Sequence, residues 1–148
     1  MRRAACPPDV HRLRLLGVCL ASVGWRSATP NPPMKKDILF LLKPGFQDPG
    51  DDTRYFCPSC AYLEGVLGFY PRLRDVLQVT YVDYERPRPS IVALLGEGNQ
   101  GCPVLVLAPL VKTDGLEGVR EHGAYRFITD KVAISRYLAQ RHGTGFPH

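Results

Sequence analysis

The segment Phe56-Cys57-Pro58-Ser59-Cys60 places two cysteines on either side of a proline and a serine, directly before a run with helical periodicity. Pro58 favours the first position of a helix. The apolar residues behind it recur at intervals of three and four, and they are Leu63, Val66, Leu67 and Tyr70. A cysteine that opens a helix lies over unpaired backbone N–H groups and the positive end of the helix dipole, and both favour the thiolate. This arrangement suits thiol–disulfide exchange, and it suits metal binding almost as well.

The positive charge of the chain is concentrated near its start. The 148 residues carry a net charge of +5, of which residues 1–33 hold +4 and residues 34–148 only +1. A domain that is nearly neutral offers no basic face to a phosphate backbone. We therefore expect no nucleic-acid partner.

Residues 1–33 differ in composition from the rest of the chain, being rich in Arg, Pro and Ala. Their apolar run, from Leu15 to Val23, is too short to span a bilayer, and the arginines around it do not fit an export signal. We interpret this segment as a disordered extension or as the product of a start codon assigned too early, with residues 34–148 as one domain. No membrane association is expected. The expected location is cytoplasmic, because thiols stay reduced there.

From Met34 onward, turn residues separate segments with strand or helix patterns. We predict strands at residues 38–42, 79–84, 104–107 and 125–128, and helices at 58–70, at 89–95 and after Thr129-Asp130. The order βαβα-ββα predicts an α/β three-layer sandwich with a four-stranded mixed sheet. The first two strands, joined by a crossover helix, should be parallel, and the last two antiparallel. Loops are predicted for Lys43–Phe56 and for about fifteen residues between the last two strands.

Cys102-Pro103 stands immediately before the third predicted strand. A strand, a CxxC motif that opens a helix, a second strand and helix, and an X-Pro step into a closing ββα unit resemble the thioredoxin superfamily. The glutaredoxins and the N-terminal domains of glutathione transferases are the most similar branch. Three segments, Ile38–Phe46, Cys57–Leu67 and Asn99–Leu107, also resemble an uncharacterised bacterial family placed in that superfamily. The resemblance covers nearly all of residues 34–148.

The resemblance implies a thioredoxin-like fold of the glutaredoxin type and the activity of a thiol–disulfide oxidoreductase. In such proteins the first cysteine of the motif attacks a disulfide and the second resolves the mixed disulfide, roles that would fall on Cys57 and Cys60. A cis proline opposite the motif presents the preceding backbone to the substrate, and Pro103 and Cys102 match these positions. The substrates would be disulfides of proteins or small molecules.

Glutathione is the co-substrate that the resemblance implies, and no bound cofactor is expected. Thr129 and Asp130 match the helix start where glutaredoxins and glutathione transferases hold the glutamyl end of glutathione. Arg54 stands where glutaredoxins often carry a lysine, and Phe56 and Pro58 complete the expected substrate-binding set. The loop before the motif is longer than in ordinary glutaredoxins, so we expect it either to cover the thiols or to form a separate pocket.

Two other hypotheses remain open. The first is a binding module that keeps the fold without turnover and docks a partner through the long loop. The second is a metal or Fe–S carrier that uses Cys57, Cys60 and Cys102, because a third sulfur beside two others favours metal. A complete zinc site needs four ligands, and no second CxxC or paired histidine motif is present, so no metal ligand is assigned. His122 and His142 receive no role, because the spacing brings no cysteine or carboxylate near them.

Overall fold

The computed structural model describes residues 34–148. The extension predicted for residues 1–33 lies outside them. In chain order the strands and helices are β1 (Ile38–Leu42), α1 (Pro58–Phe69), α2 (Leu73–Val76), β2 (Gln78–Val82), α3 (Pro89–Leu95), β3 (Val104–Leu107), β4 (Val119–His122), β5 (Tyr125–Ile128) and α4 (Lys131–His142). A 3₁₀ turn, Glu97–Asn99, follows α3. None of these helices has the length and apolar character needed to cross a membrane.

The five strands found in residues 34–148 form one mixed sheet in the order β2-β1-β3-β5-β4. β1 and β2 are parallel, as predicted for two strands joined by a crossover helix. β3 and β5 are antiparallel, as predicted for residues 104–107 and 125–128, and so are the pairs β1–β3 and β4–β5. The mixed α/β class predicted from the sequence is therefore confirmed.

The prediction of four strands is wrong, because the connection between β3 and β5 contains a further strand, β4. This edge strand pairs with β5 alone. Its residues Arg120, Glu121 and His122 are exposed, so it lacks the apolar alternation that marks a strand. The signal that could have found it is the two-residue turn Gly123-Ala124. Gly123 has a φ of 55°, and glycine at the first position of such a turn favours a β-hairpin.

Two other differences from the prediction concern the end of a strand and a short helix. β2 ends at Val82 rather than at Tyr84, because the carbonyl groups of Asp83 and Tyr84 turn to accept hydrogen bonds from the Arg88 guanidinium. The short helix α2 lies just after Pro71, in a segment for which no element was predicted.

The sheet separates two apolar layers. Alternate residues of a strand point to opposite faces, so Leu39 and Leu41 of β1 pack on the face covered by α1 and α4. Ile38 and Phe40 pack on the opposite face, which α3 covers. The helices therefore form two outer layers, and the start of α1 lies against the last residue of β1, Leu42.

A buried hydrogen-bond cluster ties the other end of β1 to α4. Asp37 is 4% exposed. Its Oδ1 accepts from the backbone N–H of Ala108 at 2.7 Å, and its Oδ2 accepts from the Tyr137 hydroxyl at 2.5 Å. Burial, reinforced by this hydrogen bond, raises the pKa of Tyr137 above its ordinary value. The phenol therefore remains a donor, and the cluster joins the beginning of β1, the end of β3 and α4.

Replacing Tyr137 with phenylalanine is expected to lower the free energy of unfolding by about 1–3 kcal/mol, because an Asp37 oxygen then stays buried without its donor. Tyr62→Phe is the matched control, since Tyr62 lies at the surface and its substitution should change the free energy by no more than about 0.5 kcal/mol. Urea denaturation of both variants measures the difference. A loss in Tyr137→Phe no larger than in Tyr62→Phe would contradict the assigned role of the cluster.

Candidate functional site

Cys57 caps α1 with its own sulfur. The residue has extended backbone angles, φ −79° and ψ 114°, and its Sγ accepts from the backbone N–H of Cys60 at 3.3 Å. This is the position at which serine, threonine or aspartate oxygen usually satisfies an unpaired N–H group. Pro58 occupies the first turn, as predicted. The thiol of Cys57 is half-buried, so a reagent or substrate can approach it.

Cys60 lies deeper, beneath Cys57 and against the end of β1. It is 3% exposed, and its Sγ accepts from the backbone N–H of Leu42 at 3.4 Å. Burial raises the pKa of Cys60 to about 12, although the Leu42 N–H opposes the shift. Cys60 is therefore a neutral thiol at neutral pH. Both cysteines of the motif are free thiols, not joined in a disulfide.

The segment Cys102-Pro103 faces Cys57 from the start of β3. The Cys57 Sγ lies 3.9 Å from the Cys102 carbonyl oxygen, and the peptide bond between Cys102 and Pro103 is cis. Cys102 is half-buried and Pro103 is buried. Burial raises the pKa of Cys102 to about 11, while the charge of Arg88 acts in the opposite direction. The fold thus brings three thiols and one main-chain acceptor to the same edge of the sheet.

A largely apolar cleft opens beside the two thiols of the motif. The cleft has a volume of about 440 Å³, and its walls include Leu42, Pro44, Phe56 and Tyr81. Phe56 is 60% exposed, so an apolar surface borders Cys57 on the solvent side.

Glu64 brings a carboxylate to the wall of this cleft, one helical turn after Cys60. Its two oxygens are held separately, by Arg74 at 2.8 Å and by the Tyr81 hydroxyl at 2.5 Å. Because Arg74 carries the opposite charge, the pair adds little net charge to the cleft. An apolar group of a substrate could therefore lie next to the reacting sulfur without meeting an unpaired charge.

The long loop between β1 and α1 forms a separate pocket and leaves Cys57 accessible. Phe46 and Tyr55 pair through backbone hydrogen bonds, which closes the loop on itself. Phe46 stacks on Tyr84 with a centroid distance of 4.3 Å, and the Tyr84 hydroxyl donates to Asp48 at 2.6 Å. The resulting cavity, of about 920 Å³, lies between the loop and the segment after β2. Of the two alternatives expected for this loop, the structure has the separate pocket.

Two of the residues expected to bind glutathione, Thr129 and Asp130, directly follow β5. Leu105 pairs with Ile128, so the end of β5 lies beside the start of β3, and Thr129 and Asp130 share an edge of the sheet with Pro103. Oδ1 of Asp130 caps α4, because it accepts from the backbone N–H groups of Val132 and Ala133 at 3.0 and 2.8 Å. This confirms the predicted helix start. Arg54 is exposed in the long loop, and its guanidinium lies near Gly45.

Within residues 34–148, no group of three or more His, Cys, Asp and Glu side chains is arranged to hold a metal ion. The three cysteines Cys57, Cys60 and Cys102 therefore share an edge of the sheet without forming a ready ligand set. A metal centre at this place would require the thiols to move together.

His142, to which the sequence assigned no role, lies in a less polar setting than expected. It faces the Tyr137 ring edge-on at a centroid distance of 6.5 Å. Among the described residues, Nε2 of His142 and Oγ1 of Thr144 are buried without a hydrogen-bond partner. A cavity of about 490 Å³ lies beside both. The missed signal is the spacing, because His142 follows Leu138 by four residues and continues the apolar stripe of α4.

The burial of His142 predicts a pH dependence of stability. Desolvation lowers the pKa of His142, although the charge of Asp37 opposes the shift. Protonation is then less favourable in the folded than in the unfolded chain, so the contribution of His142 is present above about pH 6.5 and is lost as the pH falls. Between pH 7 and pH 5, the free energy of unfolding should fall less in His142→Gln than in the wild type. The control His148→Gln, at an exposed position, should behave as the wild type, whereas equal falls in all three proteins would exclude the effect.

The three thiols differ in burial and in hydrogen bonding, and this predicts different alkylation rates. At pH 8, a thiol with a pKa of about 12, such as Cys60, is ionised in about one molecule in ten thousand, and Cys102, with a pKa of about 11, in about one in a thousand. We expect iodoacetamide to modify Cys57, which is less buried than Cys60 and whose sulfur accepts from the N–H of a helix start, at least about tenfold faster than either. Peptide mass spectrometry after timed quenching measures the rates, and the differences should vanish in concentrated urea. Equal alkylation rates for Cys57 and Cys60 in the folded protein would contradict the burial of Cys60.

The chain was compared with known protein families, curated proteins and solved structures. No curated protein and no solved structure matches it. The model of a family described as "Protein of unknown function (DUF3088)" matches residues 36–146, which is most of the chain. An uncharacterised family was expected from the sequence, and this match agrees with that expectation. The chain belongs to the DUF3088 family.

Proposed function

We propose that this chain is a thiol–disulfide oxidoreductase with a thioredoxin-like fold of the glutaredoxin type. The observation that carries the proposal is the position of the Cys57 Sγ, which lies 3.3 Å from the backbone nitrogen of Cys60 and 3.9 Å from the Cys102 carbonyl oxygen. The Cys60 N–H stabilises negative charge on the sulfur, and the Cys102 carbonyl oxygen is a hydrogen-bond acceptor for a bound substrate. The order of β1, α1, β2, α3, β3, β5 and α4 supports the fold assignment, with β4 as an added edge strand.

In the first step, the Cys57 thiolate attacks one sulfur of a substrate disulfide. The substrate S–S bond breaks, a bond forms between Cys57 and the attacked sulfur, and the other substrate sulfur leaves as a thiolate that takes up a proton. The helix start supports this step, because the Cys60 N–H donates to the attacking sulfur and the dipole of α1 favours its negative charge.

In the second step, Cys60 attacks the sulfur of Cys57, forms the Cys57–Cys60 disulfide and releases the remaining substrate thiol. Cys60 must first lose its proton. Burial is the main reason that its pKa is raised, and the hydrogen bond and charge of Cys57 add to it. The contribution of Cys57 disappears once that sulfur is part of a mixed disulfide, so Cys60 ionises more easily at the moment at which it is needed.

Glutathione is the proposed reductant of the resulting disulfide. Two glutathione thiols supply the two electrons and leave as oxidised glutathione. The hydroxyl of Thr129 and the second carboxylate oxygen of Asp130 lie at the same edge of the sheet as Pro103, where an amine of the ligand could meet them, because only Oδ1 of Asp130 is used in capping α4. The cytosol is the proposed location, since thiols are kept reduced there.

Substitution of the two motif cysteines tests the proposal. With glutathione as the electron source, we expect Cys57→Ser to lower the rate of protein disulfide reduction at least about 100-fold, because the attacking sulfur is lost. Cys60→Ser should lose most activity towards protein disulfides but retain activity towards a glutathionylated substrate, for which Cys57 alone suffices. Phe69→Ala is the control, as this exposed residue lies at the opposite end of α1.

The alternative hypothesis of a binding module without turnover predicts a different result. In that case the wild type would reduce disulfides no faster than Cys57→Ser, whether glutathione or a thioredoxin reductase system supplied electrons. Such a result would contradict the proposed oxidoreductase activity.

A further inference from the structure

Arg88 is a buried cation that uses carbonyl oxygens rather than a carboxylate. It is 5% exposed, and none of the three ion pairs found within residues 34–148 includes it. Taking a guanidinium out of water is unfavourable unless hydrogen bonds replace its hydration. A buried arginine therefore indicates that its rigid, forked set of N–H donors forms hydrogen bonds with several groups of the fold.

The guanidinium of Arg88 joins two segments of the chain. Its Nε donates to the Asp83 carbonyl at 2.9 Å, and its Nη2 donates to the Tyr84 carbonyl. Its Nη1 donates to the main-chain carbonyl of Gln100. The backbone N–H of Arg88 also donates to the side chain of Gln100 at 2.7 Å. One residue therefore fixes the chain after β2 to the segment that leads into β3.

Gln100 lies two residues before the carbonyl group that faces the reacting sulfur. Between them stands Gly101, which is exposed and where an added Cβ would meet no atom within 4 Å apart from those of its chain neighbours, so packing at Gly101 does not fix the chain. Pro103, on the other side, is buried at the start of β3. The Cys102 carbonyl is thus held between two anchors, Pro103 and the Arg88–Gln100 contact.

The charge of Arg88 is also close enough to act on Cys102, where it opposes the rise in pKa that burial causes. Arg86 acts on Cys102 in the same direction, but Arg86 is exposed and forms no part of the bridge to Gln100. The two arginines therefore allow the effect of charge to be separated from the effect of main-chain anchoring.

We propose that Arg88 is a positioning residue for polypeptide disulfides: it holds the Cys102 carbonyl where it accepts a hydrogen bond from the substrate backbone while Cys57 attacks the substrate sulfur. This inference rests on the proposed thiol–disulfide exchange. A small disulfide without a peptide backbone does not use the Cys102 carbonyl, and its reduction does not depend on Arg88.

A comparison of two substrates tests the inference. In Arg88→Met, the KM for a disulfide-bonded peptide should rise about tenfold, the effect of losing about one hydrogen bond, with little change in kcat. The rate at which bis(2-hydroxyethyl) disulfide oxidises the reduced protein in a single turnover, with no glutathione present, should not change. Arg88→Lys should not restore the KM, because a single ammonium cannot reach three carbonyl groups. Arg86→Met should behave as the wild type with both substrates. An equal effect on both substrates, or on neither, would overturn the inference.

Backbone ¹⁵N relaxation provides a readout that does not depend on turnover. In Arg88→Met, the order parameters of the Gly101 and Cys102 amides should fall from the value of rigid backbone, about 0.85, to below about 0.6, while that of Leu39 in β1 stays unchanged. If Arg88→Met does not fold, Gln100→Leu takes its place, because it removes the side-chain acceptor but keeps the guanidinium. Gln100→Leu should raise the KM for the disulfide-bonded peptide by less than about tenfold and leave the rate with the small disulfide unchanged.

The two measurements separate the two proposals. A wild type that reduces neither disulfide refutes the proposed function, and the order parameters then decide the role of Arg88 by themselves. Unchanged order parameters at Gly101 and Cys102 overturn the positioning role whatever the activity is.

Discussion

The antiparallel pairing of β1 with β3 is the interaction on which the candidate site depends. Phe40 pairs with Val104, so the end of β1 and the beginning of β3 lie at the same edge of the sheet. Leu42 at that edge donates to the sulfur of Cys60, and the chain before β3 faces Cys57. The sulfur of Cys57 and the carbonyl group of Cys102, which are 45 residues apart in the sequence, therefore come into contact. A shift of one residue in this register would turn the side chains of β3 to the other face of the sheet and remove the contact.

The two ends of β1 are stabilised by different chemistry. At the beginning, the Asp37 carboxylate is buried but satisfied by donors from two other elements. At the end, the sulfur of Cys60 takes the place of an oxygen acceptor for the backbone N–H of Leu42. Sulfur is a weak acceptor, so this hydrogen bond is weaker than those that the Asp37 carboxylate accepts at the beginning. The end of β1 is the end at which a thiol can change partners without breaking a strong hydrogen bond.

Local patterns were sufficient to predict much of the fold. Continuous apolar segments marked β1 and β3, and Asp130 and Gly143 correctly marked the ends of α4. β4 was missed because an edge strand has little to bury, so its side chains do not alternate. The sequence placed both cysteines of the motif at the start of α1, since a proline and an apolar stripe follow them.

Long-range features of the site were less accessible to sequence reasoning. The stacking of Phe46 on Tyr84 joins the loop before α1 to the segment after β2, and no local pattern encodes such a contact. Arg88 resembles any charged residue between two prolines, and its burial depends on carbonyl groups supplied by two separate segments. The setting of His142 could have been inferred from helical spacing, but its proximity to Asp37, more than 100 residues earlier in the sequence, could not.

The identity of the disulfide that forms in mixtures of reduced and oxidised glutathione tests the role of Cys57 most directly. Peptide mapping across a series of such mixtures should detect one intramolecular bond, between Cys57 and Cys60, which forms and disappears reversibly as the ratio changes. The segment of residues 1–33 contains two further cysteines, Cys6 and Cys19, and replacing them with serine beforehand should leave this result unchanged. A protein that keeps both thiols free in oxidised glutathione, or that pairs Cys57 only with a different cysteine, would contradict a thiol–disulfide exchange centre at the start of α1.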